Sequence, residues 1–399
     1  MLNEPLSRPV IRWLFLAFIY FVVASASFSG YFTKWQFRED MPVLFATEAS
    51  LPAMVDGTAD RPYVYRQLLP LIANSIERAL PISVRNRATA ILFDQKHNYH
   101  PIAAFYPNAV DARNPQYALR YYLIYAMSFA SLLLAMFALR AVCIDMQPNR
   151  VAATLAPLAF AAILPLILTV GGYFYDPSEL LFMAIAVWFS MRGRVLRLIA
   201  ITALATLNKE SFFFFILTLF PFLRSRFSVK ATLAVQCVLL VVAAAINVVI
   251  KLKYAHNGGG VVTYHLMENL VFLIHPTSYI GFEYNYGIPM TKGFNVINIV
   301  LVAALVRTAW GKLLPAVRQH LKIALLVNVP LFLAFCYPGE LRNFSMLNVG
   351  FVITICVSIA AYLDRSYRAL PAAAVPVGPA PESTVPAAAE SVSAHTAIP

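Results

Sequence analysis

Ten apolar stretches alternate with polar connections along most of the chain. A helix needs about 20 apolar residues to cross the hydrocarbon core of a bilayer. Backbone polar groups in lipid must be satisfied within the segment, so such stretches form helices. The pattern therefore predicts an all-α polytopic membrane protein with about ten transmembrane helices. The predicted spans are 10–29, 118–142, 151–171, the segment that follows residues 173–177 and ends at Arg192, 198–207, 211–223, 231–250, 294–309, 323–337 and 344–363.

Two polar loops are much longer than the other connections, residues 31–117 and 251–293. In the first loop, apolar residues from Leu68 to Leu80 recur at helical spacing, which predicts an amphipathic helix on the membrane surface. In the second loop, the glycines at 258–260 predict a flexible linker. Residues 1–368 form the predicted membrane domain, and the Ala/Pro-rich composition of residues 369–399 predicts a disordered cytoplasmic tail.

Lysine and arginine clusters lie in every second connection between the spans, at 140–150, 192–197, 224–230, 307–322 and 365–368. Basic residues accumulate in cytoplasmic loops, so this distribution places both termini in the cytoplasm and both long loops outside a cell inner (plasma) membrane. The fifth and sixth spans are short, and they could also form a single broken or re-entrant element. A cleaved signal ending near residues 24–27 is an alternative interpretation of the first span.

Composition agrees with a membrane location. Hydrophobic residues make up 60% of the 399-residue chain and charged residues only 13%, about half the usual share in soluble proteins. The net charge of +12 does not indicate nucleic acid, because the basic residues lie in short clusters between apolar stretches and not on one face of a soluble module.

The first loop contains candidates for catalysis and for substrate binding. Glu39 and Asp40 follow the first span closely, and a carboxylate near a lipid boundary can act as a base toward a sugar hydroxyl. Taken alone, each is better explained as a solvated loop acid beside Arg38. Arg61, Tyr65 and Arg66 form a basic and aromatic strip that suits a phosphate or a sugar face. An interfacial aromatic belt explains the tyrosines equally well.

Three further candidates lie at the ends of later spans. Asp176, followed by Pro177 and three residues on by Glu179, is typical of a helix N-terminus with a capping box, or it could bind substrate. Ionisable residues between very apolar stretches indicate function, so Lys209 could bind a phosphate oriented by Glu210, although a plain ion pair between helices fits as well. The connection with Glu340 and Arg342 repeats this pattern.

No cofactor is predicted. His265, Glu268 and His275 could be assembled into a metal site, but their spacing fits no strong metal motif. A divalent metal therefore has no support from the sequence, and the fingerprints of dinucleotide and phosphate-binding loops are missing.

The layout of a first span, a long outer loop with an early acid and many closely connected spans resembles the GT-C class of membrane glycosyltransferases, as a divergent short bacterial member. Lys209-Glu210-Ser211 is similar to a Lys-Glu-Thr element of that class, and the segment 61–70 resembles a stretch in uncharacterised relatives. The resemblance implies a sugar donor linked to a polyprenyl phosphate and an acceptor that is a glycan, lipid or protein. It also implies that the catalytic base is Asp40 or Glu39.

Two other functions remain open from the sequence. A transporter or flippase for lipid-linked glycans would carry ionisable residues in the middle of its spans, whereas the polar residues found there are uncharged (Gln236, Asn247 and Asn328). A non-catalytic subunit of an envelope polysaccharide assembly system would leave the candidate residues dispersed in space.

Overall fold

The computed structural model describes residues 8–38, 50–92, 101–106, 109–260 and 263–369. These residues are mostly helical, and within them six helical segments are long and apolar enough to cross a membrane. This supports the predicted class, a multi-pass helical membrane protein. The six are Val10–Trp35, Ala118–Met146, Arg150–Ile167, Val229–Lys253, Pro315–Phe335 and Leu341–Asp364.

The helices are numbered in chain order. They are α1 (Arg8–Trp35), α2 (Leu51–Asp56), α3 (Leu68–Ala79), α4 (Ile82–Leu92), α5 (Pro101–Phe105), α6 (Ala118–Met146), α7 (Arg150–Ile167), α8 (Asp176–Met191), α9 (Val195–Asn208), α10 (Phe212–Thr218), α11 (Phe220–Arg224), α12 (Val229–Lys253), α13 (Leu266–Ile274), α14 (Val296–Trp310), α15 (Pro315–Phe335) and α16 (Asn348–Ala369). An antiparallel hairpin of β1 (Phe282–Asn285) and β2 (Ile288–Thr291) precedes α14.

Each of the ten predicted spans coincides with helix, but the lengths differ. The eighth predicted span is α14, whose 15 residues extend only about 22 Å, less than the roughly 30 Å of a hydrocarbon core. The sixth is broken into α10 and α11 near Leu219. The ninth was predicted to begin at residue 323, but α15 begins at Pro315. The start was missed because the first turns of a helix can be polar, and Pro is favoured there.

The core lies between the long helices, where α6 packs on α8 and α1 packs on α7. Aromatic side chains fill the space between α1 and α6 near the C-terminal end of α1. Phe32 meets Phe37, Tyr106 and Tyr125 at ring-centroid distances of 5.0, 4.8 and 4.9 Å, and the edge-to-face geometry of these pairs is favourable.

The chain divides into two units, and the first ends at Ala361. Of the second unit the structure describes only residues 362–369, which are helical. The predicted disordered tail therefore lies almost entirely outside the described residues.

The predicted amphipathic helix is present as α3, and part of it is packed against the rest of the protein. Its first turn is buried at Leu68 and Leu69, whereas Ile76 is exposed. On its polar side, Glu77 pairs with Arg120 of α6 at 3.2 Å. The helix is thus part of the packed structure at the start of α6.

The two long loops contact each other directly. The Arg61 side chain donates hydrogen bonds to the carbonyls of Ala255, Gly258 and Gly259. In return, the Asn257 amide donates to the carbonyls of Gly57 and Ala59 at 2.9 Å each. These contacts contradict the predicted flexible linker.

The glycines of this segment are needed for close packing. A Cβ atom on Gly258 would lie 2.4 Å from Asp60 Oδ1, and one on Gly259 would lie 2.5 Å from the Arg61 carbonyl. Gly259 also has φ of +73°, which favours glycine.

The helical bundle has two ends that differ in their polar groups. The loop end carries the two long loops and the N-terminus of α8. The basic end is formed by the connections α6–α7, α8–α9, α11–α12 and α14–α15. Its arginines and lysines include Arg140, Arg150, Arg192, Arg226, Lys230, Arg307 and Lys312.

Candidate functional site

The centre of the candidate site is the N-terminus of α8. Tyr175 occupies the N-cap and Asp176 is the first helical residue, so Asp176 is not the capping acid that its spacing suggested. The Asp176 Oδ2 atom accepts a hydrogen bond from the backbone N–H of Tyr173 at 2.8 Å. This bond turns the other carboxylate oxygen toward two cations.

The connection between α9 and α10 is locked to this helix end. The Asn208 amide donates to the Tyr175 carbonyl at 3.0 Å, and its oxygen lies 2.6 Å from the Ser178 hydroxyl. Asn208 ends α9, and Lys209 follows with an extended backbone. The Lys209 side chain is thereby directed at α8.

Lys209 joins the two acids of α8. Its ammonium lies 2.7 Å from Glu179 Oε2 and 3.8 Å from Asp176 Oδ1. All three side chains are less than one-tenth exposed. Glu179 Oε1 also accepts hydrogen bonds from Ser211 at 3.1 Å and Ser345 at 2.8 Å. A buried pair of this kind is stable only when its charged groups are also hydrogen-bonded, and here both oxygens of Glu179 have partners.

Arg342 approaches Asp176 from the start of the last helical segment. Its Nη1 atom donates to Asp176 Oδ1 at 3.2 Å, and its Nε atom donates to Glu340 Oε1 at 2.7 Å. The guanidinium carbon lies 4.6 Å from the centroid of the Tyr173 ring, a cation–π arrangement. Arg342 and Glu340 are both buried.

Arg66 supplies a third cation from the first loop. It pairs with both oxygens of Glu210, at 2.8 and 3.3 Å, and donates to the Tyr175 hydroxyl at 3.0 Å. Burial disfavours ionisation of the Glu210 carboxyl, but the Arg66 guanidinium outweighs this effect, so the pKa of Glu210 lies below its usual value. Burial raises the pKa of the Tyr175 phenol, which keeps it a neutral partner.

The site contains three cations (Arg66, Lys209 and Arg342) and four carboxylates (Asp176, Glu179, Glu210 and Glu340), so its formal charge is 3 − 4 = −1 when all are ionised. Every one of these cations already has a carboxylate partner. An anionic substrate group must therefore compete with a carboxylate for any of them.

A small cavity of about 20 Å³ adjoins these charges. Asp176, Glu179, Arg342 and Ser345 line its polar side, and residues of α1, α6 and α7 line its apolar side. Its volume is sufficient for about one water molecule. The hydroxyl of Tyr31, also in its lining, is buried without a hydrogen-bond partner, so the cavity offers one more polar group.

Not every predicted site residue lies in this cluster. Arg61 is held by backbone carbonyls of the second loop. Tyr65 is buried in the hydrophobic core. Glu39 and Asp40, the predicted bases, lie outside the described residues. Arg66, Asp176, Lys209, Glu210, Glu340 and Arg342 do converge.

The histidines of the second loop do not form a cluster of metal ligands. His265 contacts Glu268, and His275 lies 2.6 Å from the Thr277 hydroxyl. Among the residues that the structure describes, no group of three or more His, Cys, Asp or Glu side chains could hold a metal ion.

Glu179, Ser345 and the Tyr173–Tyr175 turn were missed as site residues. Glu179 occupies a position that fits a capping box, and this local interpretation hid a bond to Lys209, which is 30 residues away. The apolar surroundings of Glu179 were the available signal, because an acid among leucines and phenylalanines requires a partner.

The comparisons with known proteins give no relatives: no family model, no curated protein and no solved structure matches the chain.

Proposed function

We propose that this protein is a membrane glycosyltransferase of the GT-C type, which moves a sugar from a polyprenyl phosphate to an acceptor on the extracytoplasmic side. The observation that carries the proposal is the convergence of Arg66, Lys209 and Arg342 at one end of the bundle. These cations come from three distant segments and are buried beside acids. Buried ionisable groups in a membrane protein indicate function.

In this proposal about ten spans cross the membrane, both termini are cytoplasmic, and the loop end faces outward. Lys209 and Arg342, and Arg66 beside them, hold the phosphate of the lipid donor, since ammonium and guanidinium groups bind phosphate oxygens well. A carboxylate of the first loop, Asp40 or Glu39, removes the proton of the acceptor hydroxyl. That oxygen attacks the anomeric carbon, and the lipid phosphate leaves with the bonding electron pair.

The charge balance of the site refines this mechanism. Because Glu340 and Glu210 already occupy Arg342 and Arg66, donor binding requires the phosphate to displace a carboxylate. The carboxylates then act as exchangeable partners that keep the buried cations stable while the site is empty. Once the donor has left, the ion pairs can form again.

Mass spectrometry of cell-envelope glycans, with and without the protein, would identify a missing sugar. Transfer would then be measured in reconstituted membranes for Asp40→Asn and Glu39→Gln. We expect one of the two variants to lose transfer without loss of protein yield. Asp145→Asn is the matched control, because Asp145 is a carboxylate at the basic end and its loss should leave transfer intact.

Full transfer by both loop variants would exclude the first-loop acids as the base. An unchanged set of envelope glycans, together with passage of a lipid-linked glycan across the membrane, would favour a transporter instead. Two of the mid-span polar groups have structural roles, since Gln236 donates to the Ile216 carbonyl and Asn328 to the Asn343 carbonyl. They give transport no specific support.

A further inference from the structure

The helix α14 (Val296–Trp310) stands apart from the other described helices. Few contacts join it to them, and Val300, Leu301 and Val302 are exposed. Both ends are nevertheless fixed. At the loop end the Asn295 amide donates to the Gly281 carbonyl at 2.9 Å, and at the basic end Ala309 is fully buried. The helix is therefore held at its ends and separated from the bundle along its middle.

A groove of about 830 Å³ follows one face of this helix, and we call it the α14 groove. It extends from Gly293 and Leu341 at the loop end to Arg307 and Trp310 at the basic end. Its volume lies within the range of roughly 300–1,000 Å³ that is typical of ligand sites. The middle of the groove is apolar, with the side chains of Ile299, Val302, Ala303 and Val306.

The two ends of the groove differ in their polar groups. At the loop end, the Asn298 side chain is already bonded to Thr291 and to the Gly293 carbonyl. At the basic end, no hydrogen bond or ion pair to any described residue engages the Arg307 guanidinium or the Trp310 indole N–H. Among the described residues that line the groove, a free cation (Arg307) and a free neutral donor (Trp310) are thus found only at the basic end.

We propose that the α14 groove binds an anionic phospholipid, with its phosphate at Arg307 and Trp310 and an acyl chain along the apolar middle. An arginine fork fits phosphate oxygens, and a tryptophan ring suits the membrane–water interface. The head group lies at the opposite end of the bundle from Arg342, so this lipid is distinct from the sugar donor. The site does not depend on the proposed transferase activity.

A second copy of the chain fits the groove less well than a lipid does. Two copies in one membrane have the same orientation, so a symmetric contact through α14 would be parallel. It would bring two Arg307 side chains and the nearby Lys312 residues together, and like charges across an interface are unfavourable. The bound lipid instead supplies the negative charge that this end of the groove lacks.

Native mass spectrometry of the delipidated full-length protein would test the site. The probes are phosphatidylglycerol and phosphatidylcholine with identical acyl chains. We expect about fivefold greater retention of the anionic lipid, since one basic side chain near a membrane contributes roughly this factor. Arg307→Gln should abolish the preference. Lys230→Gln, which removes a charge at the same end outside the groove, should preserve it.

A second variant separates the groove from general lipid contact. Ala303→Trp fills the apolar middle and should reduce retention of both lipids without changing the thermal midpoint of unfolding. Equal retention of the two lipids by the natural protein would overturn the proposal. So would an Arg307→Gln protein that keeps the preference, or dimers cross-linked in high yield through Val302→Cys.

Discussion

Two ion pairs of nearly equal length lie at opposite ends of the bundle. Lys209 and Glu179 at the loop end are 2.7 Å apart and about 5% exposed, whereas Arg192 and Asp145 at the basic end are 2.8 Å apart and 24–38% exposed. Exposed pairs contribute little to stability. A buried pair leaves an uncompensated charge when one partner is lost. Burial, more than pairing, therefore marks the loop end as the candidate site.

The two pairs also differ in how much of the chain they join. Asp145 of α6 binds the Trp188 indole of α8 and Arg192, the residue that caps the C-terminus of α8. Glu179 instead has partners from two other segments, with Lys209 and Ser211 in one and Ser345 in the other. The basic-end pair connects two neighbouring helices, and the loop-end pair holds three separate segments around one carboxylate.

The largest effect should come from Lys209→Met, which leaves Glu179 buried without its cation. We expect the free energy of unfolding to fall by about 3–5 kcal/mol, measured by thermal unfolding in detergent. The double variant with Glu179→Gln should recover part of this loss, because the remaining amide carries no charge. A single variant as stable as the natural protein would show that the pair is not buried.

A smaller loss of stability is expected from a methyl group added at Gly172, which packs closely against Trp35 and Tyr31. A Cβ atom on Gly172 would lie 2.5 Å from Trp35 and 2.7 Å from Tyr31, so Gly172→Ala should cost about 1–3 kcal/mol through overpacking. Gly311→Ala is the matched control at the basic end, where the added methyl group meets nothing within 4 Å. Equal thermal midpoints for the two variants would contradict close packing around Gly172.

The pH dependence of stability in the Glu210→Gln variant tests the pairing of Glu210 with Arg66 of the first loop. The lost pairing with Arg66 should cost about 1.5 kcal/mol at pH 7, the low end for charge-assisted bonds, because Glu210 is partly exposed. Its pKa is lowered in the folded protein, so the stabilisation is present above the unfolded value of about 4.3 and is lost as pH falls further. The two proteins should approach the same thermal midpoint as pH falls from that value through the lower pKa of the folded protein. A constant difference down to pH 3 would exclude this linkage.

The smallest effect should come from Arg192→Gln, which breaks the exposed pair. We expect a change of less than about 1 kcal/mol in the free energy of unfolding, and a weaker one as salt is raised. A loss as large as that of Lys209→Met would remove the distinction between the two ends.

The sequence was sufficient for the helical class and for part of the site. Lys209 and Arg342 were predicted because charged residues between apolar stretches require a special reason. Asp176 and Glu340 were predicted as well, but two pairings were not. A local motif explained Glu179 and hid its bond to Lys209, and Asp176 and Arg342 are 166 residues apart. Local patterns determine helices, whereas contacts between distant segments depend on how the helices pack.

Arg61 is the opposite case, because it was predicted as a site residue and lies outside the cluster. Its neighbours in sequence made it look like part of a phosphate-binding strip, yet its guanidinium is bound by backbone carbonyls. Nothing in the sequence marks those carbonyls, since every residue has one. Only the fold brings the Gly258–Gly259 backbone to the first loop.

The contact between the two long loops constrains how the protein is made. Arg61 and Ala255 are 194 residues apart, and at a synthesis rate of roughly 5–20 residues per second that separation takes about 10–40 seconds to translate. During this interval Arg61 has already been synthesised, but the backbone carbonyls that it binds have not. The first loop thus reaches its final form only after α12 has been synthesised, and a nascent chain stalled before residue 255 would present that loop to proteases and chaperones.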